Sequence, residues 1–136
     1  MTLVDANVLL DLVSDDLVWA SWSIRQLSAA GLRGLIAIND IVYAEVSVGF
    51  PTIEDLDGFL ADTGIGLMRV PRSALFLAGK AFRNYRSAGG SRTSVLPDFL
   101  IGAHAAVAGV PLLTRDTRRF HTYFPTVALI TPTTRP

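Results

Sequence analysis

The 136-residue chain has no cysteine, only two histidines and a single lysine, Lys80. The lack of cysteine excludes disulfide bonds, thiolate zinc sites and cysteine nucleophiles. Any metal ion must therefore be held by oxygen atoms or by histidine.

Long apolar runs are also missing from the sequence. The longest one, residues 99–113, contains His104 and Pro111 and is shorter than the roughly 20 residues that a membrane-spanning helix needs. The first apolar segment has no basic residues before it and is interrupted by Asp5 and Asp11, which is untypical of a signal peptide. We therefore expect a cytoplasmic protein with no membrane segment.

An excess of charge of either sign is absent, because twelve basic residues balance twelve acidic ones. Net charge therefore neither indicates nor excludes a nucleic-acid partner. Half of the residues are hydrophobic and 18% are charged, a composition typical of a folded domain and not of a disordered chain. The length predicts one domain, covering residues 1–136.

Short apolar segments alternate with helical patterns along the chain. We predict strands at residues 2–4, 35–38, 67–70, 110–114 and 127–130. We predict helices after Asp5 or Asn7, from Asp15 or Asp16 to Gly31, from Asn39 or Asp40 to Gly49, from Thr52 to Ala61, from Ser73 to Gly89 and from Asp98 to Ala108. The Pro- and Thr-rich tail after Ile130 is expected to fray. This alternation predicts an α/β fold with a mainly parallel sheet covered on both faces.

Four acidic residues are predicted to lie near one edge of this sheet. Asp5 follows the first strand and Asp116 follows the fourth, whereas Asp98 begins a helix and Glu45 lies about two turns into another. Functional groups of parallel sheets gather where the strands end and the following helices begin. We therefore expect the four carboxylates to converge.

Convergence of four carboxylates requires compensating positive charge. Two carboxylates ~5 Å apart repel each other by roughly 3 kcal/mol at an effective dielectric near 20. Oxygen ligands without cysteine or paired histidine suit hard cations such as Mg²⁺ or Mn²⁺. Two such ions can activate a water molecule and stabilise the leaving oxygen of a phosphoryl displacement. The pattern therefore indicates phosphodiester hydrolysis.

Each acid also has a simpler explanation. Asp5 could be only a helix N-cap, Asp98 a favourable helix-start residue, and Asp116 a turn residue. Glu45 is harder to explain in this way, because its helix is otherwise apolar around Val46 and a lone carboxylate there is costly. Spacing alone leaves both explanations open.

The segments around the four acids, taken in order, resemble the motifs of PIN-domain ribonucleases. These segments are VDANVLLDL at Asp5, AEVSVGF at Glu45, LPDFLIGAHA at Asp98 and LLTRDTRRF at Asp116. The similarity covers nearly the whole chain, and its nearest form is the VapC-type toxin of VapBC toxin–antitoxin pairs.

This resemblance implies a three-layer α/β/α sandwich and an endoribonuclease dependent on Mg²⁺ or Mn²⁺. It also implies a homodimer that a small VapB-type antitoxin inhibits. By position, the metal-binding and catalytic residues are Asp5, Glu45, Asp98 and Asp116, with Asn7 and Thr114 as polar companions. None of the core motifs departs from the family pattern, so the resemblance implies an active enzyme.

Three arginines, Arg115, Arg118 and Arg119, flank the fourth acid. Guanidinium groups pair well with phosphate, so contact with the RNA backbone is one hypothesis. The alternative is a solvated surface, because eleven of the twelve basic residues are arginine.

The sequence leaves more than one role open for the two histidines and for the two tryptophans. His104 lies on an apolar helix without a partner histidine, which favours a hydrogen-bonded core residue over a metal ligand. His121 is expected to be more exposed and could contact substrate. Trp19 and Trp22 could belong to the core or line a groove for a partner.

The sequence also bears on three other functional classes. A haloacid-dehalogenase-type phosphotransferase needs aspartate in place of Asn7 and an essential lysine, and a response-regulator receiver also needs a lysine. Lys80 lies inside a predicted helix, which disfavours both. The remaining alternative is a catalytically silent PIN-like interaction module, whose acids only cap helices.

Overall fold

Five short strands form one sheet in the computed structural model, which describes residues 1–133. The strands are β1 (Thr2–Val4), β2 (Ile36–Asn39), β3 (Ile65–Met68), β4 (Leu112–Leu113) and β5 (Leu129–Ile130). Their order is β3-β2-β1-β4-β5, and every neighbouring pair is parallel. The predicted α/β fold with a mainly parallel central sheet is confirmed.

Helices cover both faces of this sheet. They are α1 (Ala6–Val13), α2 (Ala20–Arg33), α3 (Asp40–Val46), α4 (Ile53–Thr63), α5 (Arg72–Ser87), α6 (Leu96–Ala108) and α7 (Arg119–Tyr123), and a 3₁₀ turn at Ser47–Gly49 continues α3. Leu3 and Val4 point to opposite faces of β1, and both are fully buried. The architecture is therefore the expected three-layer α/β/α sandwich.

The strand order creates a crevice beside β1. The chain runs outward from β1 to β2 and β3, then returns to β4 on the other side of β1. Because parallel crossovers are right-handed, the connection from β1 to β2 and the connection from β4 to β5, which run in opposite directions along the sheet, lie on opposite faces. The segments after β1 and β4 consequently separate at the carboxyl edge, where such folds hold their ligands.

Side-chain caps turn the chain sharply from strand to helix at this edge. Asp5 follows β1 in an extended conformation and accepts a hydrogen bond from the backbone N–H of Ala6. Asn39 ends β2 and accepts one from the N–H of Val42 at 2.9 Å. These caps satisfy backbone donors that a helix start leaves free, and they start α1 and α3 at the carboxyl edge.

An aromatic cluster joins α5, α6 and the segment around α7. Phe99 is fully buried, and its ring centroid lies 5.6 Å from that of Tyr85, 5.2 Å from that of Tyr123 and 6.1 Å from that of Phe124. Burial of rings this large contributes strongly to stability. Because Phe99 adjoins Asp98, the cluster also sets the position of Asp98 relative to α7.

Several predicted boundaries were wrong. Helix α2 begins at Ala20, because Asp16 accepts hydrogen bonds from the N–H groups of Val18 and Trp19 and forms a turn there. Strand β3 begins two residues earlier than predicted, and α6 begins at Leu96 with proline in its first turn. Helix α7 was not predicted. The sequence also predicted fraying of the tail after Ile130. Residues 134–136 of that tail lie outside the described range.

Within residues 1–133, no helix combines the length and the hydropathy needed to cross a bilayer.

Candidate functional site

A cavity of about 500 Å³ opens at the carboxyl edge of the sheet, beside β1. Its lining contains all four acids of the predicted quartet and Asn7. The acids come from separate elements: the end of β1, helix α3, the first turn of α6 and the loop after β4. The fold thus brings together Asp5, Glu45, Asp98 and Asp116.

Asp5 is the most deeply buried acid of the four, with 5% of its surface exposed. Its Oδ1 accepts a hydrogen bond from the N–H of Ala6, and its Oδ2 accepts one from Thr114 Oγ1, both at 2.7 Å. Burial raises the pKa of Asp5 to about 6, and the nearby charges of Asp98 and Asp116 add to this rise.

Thr114 is a fully buried hydroxyl that links two of the acids. Its Oγ1 donates to Asp5 and accepts a hydrogen bond from the N–H of Asp116 at 3.1 Å. Asn7 Nδ2 lies 3.4 Å from both Asp5 Oδ2 and Thr114 Oγ1, and Asn7 Oδ1 accepts from the N–H of Arg115. Thr114 and Asn7 therefore tie the end of β1 to the loop after β4.

Glu45 is half-buried on α3 and faces the same cavity. Burial raises its pKa to about 7, and the charges of Asp5 and Asp98 contribute further. Its Oε1 is buried and has no hydrogen-bond partner among residues 1–133. A buried polar atom normally has a partner, so this oxygen is not explained by a capping or structural role.

Asp98 and Asp116 share an arginine. Arg119 Nη1 donates to Asp98 Oδ2 and lies 3.9 Å from Asp116 Oδ2. Burial raises the pKa of Asp98, and the Arg119 guanidinium opposes that rise. Asp116 Oδ1 accepts a hydrogen bond from the N–H of Arg118 at 2.9 Å. One cation of the chain itself therefore faces two of the four acids.

The family model described as PIN domain matches residues 2–124. The chain belongs to the PIN-domain family. A search of curated proteins found no match.

Solved structures share the fold of this PIN domain. VapBC2 from Rickettsia felis, bound to a promoter DNA fragment, is similar with a TM-score of 0.73 and 19% identity over 96% of this chain and 97% of that chain. DNA-bound VapBC from Salmonella typhimurium is similar with a TM-score of 0.69 and 16% identity, and VapBC-1 from nontypeable Haemophilus influenzae with 0.68 and 15%. In both cases the similarity covers 96% of each chain.

The site of this PIN domain has the ligand chemistry of a divalent-cation site. All four acidic groups offer only oxygen, which suits Mg²⁺ or Mn²⁺, and the unpartnered Glu45 Oε1 is available as a ligand. In the described part of the chain, no three acidic or histidine side chains are arranged to hold one ion.

The three arginines flanking Asp116 occupy different environments in this PIN domain. Arg115 Nη2 pairs with Asp11 Oδ1 at 2.9 Å, and its guanidinium carbon lies 4.9 Å from the centre of a Trp19 ring. Arg118 is exposed, and Arg119 faces Asp98 and Asp116. The structure thus brings Arg119 to the acids and directs the Arg115 guanidinium toward α1 and α2.

Asp11 is a buried acid that sequence reasoning missed. It is 2% exposed, and its Oδ2 accepts a hydrogen bond from Ser23 Oγ at 2.8 Å in addition to the Arg115 contact. The available signal was the same as for Glu45, a carboxylate on an otherwise apolar helix. Asp11 joins α1, α2 and the loop after β4, whereas Glu45 lines the cavity.

His104 is the hydrogen-bonded core histidine that the sequence predicted. It is buried, and its Nδ1 lies 3.2 Å from Asn39 Nδ2, which donates because Asn39 Oδ1 already caps α3. Burial lowers the pKa of His104. His121 is exposed on α7. Trp22 is buried in the core, and Trp19 packs edge-on against it with ring centroids 5.9 Å apart.

Proposed function

We propose that this protein is an endoribonuclease that depends on Mg²⁺ or Mn²⁺ and hydrolyses phosphodiester bonds in RNA. The observation that carries the proposal is the cavity in which four carboxylates meet, with Glu45 Oε1 buried and unpartnered within the described residues. Such a group is costly unless a cation compensates it. Membership of the PIN-domain family, whose members are generally nucleases, supports this function.

The proposed roles follow from the contacts of each side chain. Asp5, Glu45, Asp98 and Asp116 are the residues that would hold the divalent cation, which would supply an activated water molecule and positive charge at the phosphate. Thr114 orients the Asp5 carboxylate through their 2.7 Å hydrogen bond.

The polar groups around the acids have supporting roles in this proposal. Asn7 braces Asp5 and the loop after β4 through its contacts with Thr114 and Arg115. The exposed Arg118 side chain contacts the RNA backbone, since a guanidinium pairs well with phosphate. Arg115 and Arg119 each use one guanidinium nitrogen in an ion pair, with Asp11 and Asp98 respectively, so Arg118 is the freest of the three for the RNA backbone.

We also propose that the protein is the cytoplasmic, homodimeric toxin of a type II toxin–antitoxin pair, inhibited by a VapB-type antitoxin. The support is that three structural neighbours are VapBC structures, each of which matches 96% of this chain. Copurification with the product of an adjacent small gene, and release of ribonuclease activity when that product is removed, are the expected results.

A catalytically silent interaction module is the second candidate. The caps favour it, because Asp5 does accept a hydrogen bond from the N–H at the start of α1. The two candidates differ in their response to Mn²⁺. A metal site gains stability from the ion, by roughly 2.7 kcal/mol at a hundred times the Kd, whereas an interaction module does not.

The deciding experiment incubates purified protein, free of antitoxin, with total bacterial RNA in Mg²⁺, in Mn²⁺ and in EDTA. Asp98→Asn removes a proposed metal ligand, and Asp62→Asn, at an exposed position on α4, is the matched control. We expect discrete metal-dependent fragments with the wild type and Asp62→Asn and none with Asp98→Asn. Intact RNA in every lane, together with Mn²⁺-insensitive stability, would establish the interaction module instead.

A further inference from the structure

Arg119 is a cation that the chain itself supplies to the acidic quartet. It is the first residue of α7, and only 23% of its side chain is exposed. Its Nη1 contacts Asp98 Oδ2 and lies 3.9 Å from Asp116 Oδ2. This nitrogen therefore lies beside two of the four carboxylates, where a bound metal ion would otherwise compensate them.

The fold holds Arg119 in this position. Phe120, the next residue, is fully buried, and Tyr123 and Phe124 pack on Phe99, which adjoins Asp98. Helix α7 and the start of α6 are thus fixed to the same aromatic cluster. This packing keeps the Arg119 guanidinium beside Asp98.

The other two acids, Asp5 and Glu45, have no positively charged partner within residues 1–133. Asp5 is hydrogen-bonded by the N–H of Ala6 and by Thr114, and Glu45 Oε1 has no partner in the described chain. The ion pairs found within residues 1–133 include neither Asp5 nor Glu45. The quartet is therefore divided into two pairs: a guanidinium compensates Asp98 and Asp116, whereas no positive group in the described part of the chain compensates Asp5 and Glu45.

We propose that Arg119 takes the place of a second metal ion, so that each chain binds one divalent cation in the acidic cavity, nearest to Asp5 and Glu45. The inference rests on the proposed metal-dependent function. A second divalent ion beside Asp98 and Asp116 would meet the guanidinium at short range, and like charges at that distance repel strongly. One ion and Arg119 together supply three positive charges against the four ionised carboxylates.

Titration with Mn²⁺ tests this stoichiometry without any measurement of activity. Free Mn²⁺ gives an electron paramagnetic resonance signal that is lost on binding, so the number of ions bound per chain is measured directly. We expect one for the wild type, two for Arg119→Gln, which removes the charge, and one for Arg119→Lys, which keeps it. Arg118→Gln removes the same charge from the adjacent exposed residue and is expected to bind one.

Two bound ions in the wild type would overturn the inference and leave the proposed metal site intact, and this result needs no variant to fold. A folded Arg119→Gln protein that still binds one ion would also overturn it. If the wild type binds no Mn²⁺ at all, the metal-dependent function fails and the inference fails with it. Circular dichroism of each variant confirms that the counted chains are folded.

Discussion

Thr114 shows how much of this site depends on an uncharged residue. Its hydroxyl donates to Asp5 and accepts from the N–H of Asp116, so a single buried oxygen orients one acid and positions the loop that carries another. No charge or nucleophilicity marks Thr114 in the sequence. Its importance follows from its place directly after β4, where the carboxyl edge meets Asp5.

Thr114→Val is expected to lower both stability and RNA cleavage. The substitution keeps the shape of the side chain but leaves the Asp116 N–H without its acceptor and Asp5 with one fewer donor, which costs about 1–3 kcal/mol. Urea unfolding measures the stability, and cleavage of a defined RNA measures the activity. Thr114→Ser keeps the hydroxyl and should retain most of both. A Thr114→Val protein as stable and as active as the wild type would contradict the role of the hydroxyl.

Glu45 is expected to make the metal-free protein less stable as pH rises. Its folded-state pKa of about 7 lies above the ordinary value of 4.5, so the folded state favours the protonated acid. The favourable contribution is complete below about pH 4.5 and is lost as pH rises through about 7. Asp5, with its pKa raised to about 6, acts in the same direction.

The measurement is the melting temperature in EDTA between about pH 5 and pH 8, the window set by these raised pKa values. Glu45→Gln should show a shallower decline than the wild type, because the amide does not ionise. Glu54→Gln, at an exposed position on α4, should follow the wild type. Parallel curves for Glu45→Gln and the wild type would mean that the buried oxygen is not a source of instability.

At the scale of elements, the close packing of α6 against the α7 segment positions Asp98. A Cβ atom at Gly102 would lie 2.4 Å from Phe124 Cδ2 and 3.0 Å from Phe120 Cδ1. Only glycine allows the two rings to approach the helix this closely. The sequence shows that α6 contains small residues. It does not show that Phe120 and Phe124 are the rings that pack against Gly102.

Gly102→Ala is therefore expected to destabilise the protein although alanine favours helix. The clash costs about 1–3 kcal/mol, more than the gain of about 0.5–1 kcal/mol from helix propensity. Gly79→Ala on α5 is the matched control, since a Cβ there meets nothing within 4 Å, and it should stabilise the protein slightly. Chemical denaturation of both variants measures the difference. A Gly102→Ala protein as stable as Gly79→Ala would contradict the packing argument.

The elements also show what the sequence could predict. Strand β1 and the cap at Asp5 were predictable because an apolar run meets a strong capping residue. Helix α7 was not, because its five residues have no repeating apolar pattern and Phe120 holds it by tertiary contact. The pairing of Arg119 with Asp98 was missed for the same reason, since it depends on how α7 packs against α6.

At the scale of the whole molecule, the order of strands explains why the four acids could be predicted to meet. Parallel strands share one carboxyl edge, so residues that follow β1 and β4 must lie close together once these strands pair. Their roles as metal ligands remain a prediction. The sequence could not predict the division of the quartet by Arg119, which depends on distances between side chains of different helices.

The contact between Asp5 and Thr114 joins residues 109 positions apart. The growing chain on a ribosome therefore has no complete site until the segment beyond β4 has emerged and paired with β1. A product that stalls or is clipped before β4 lacks both Thr114 and Asp116. An unfinished copy of the proposed ribonuclease therefore lacks a complete site with which to cut RNA.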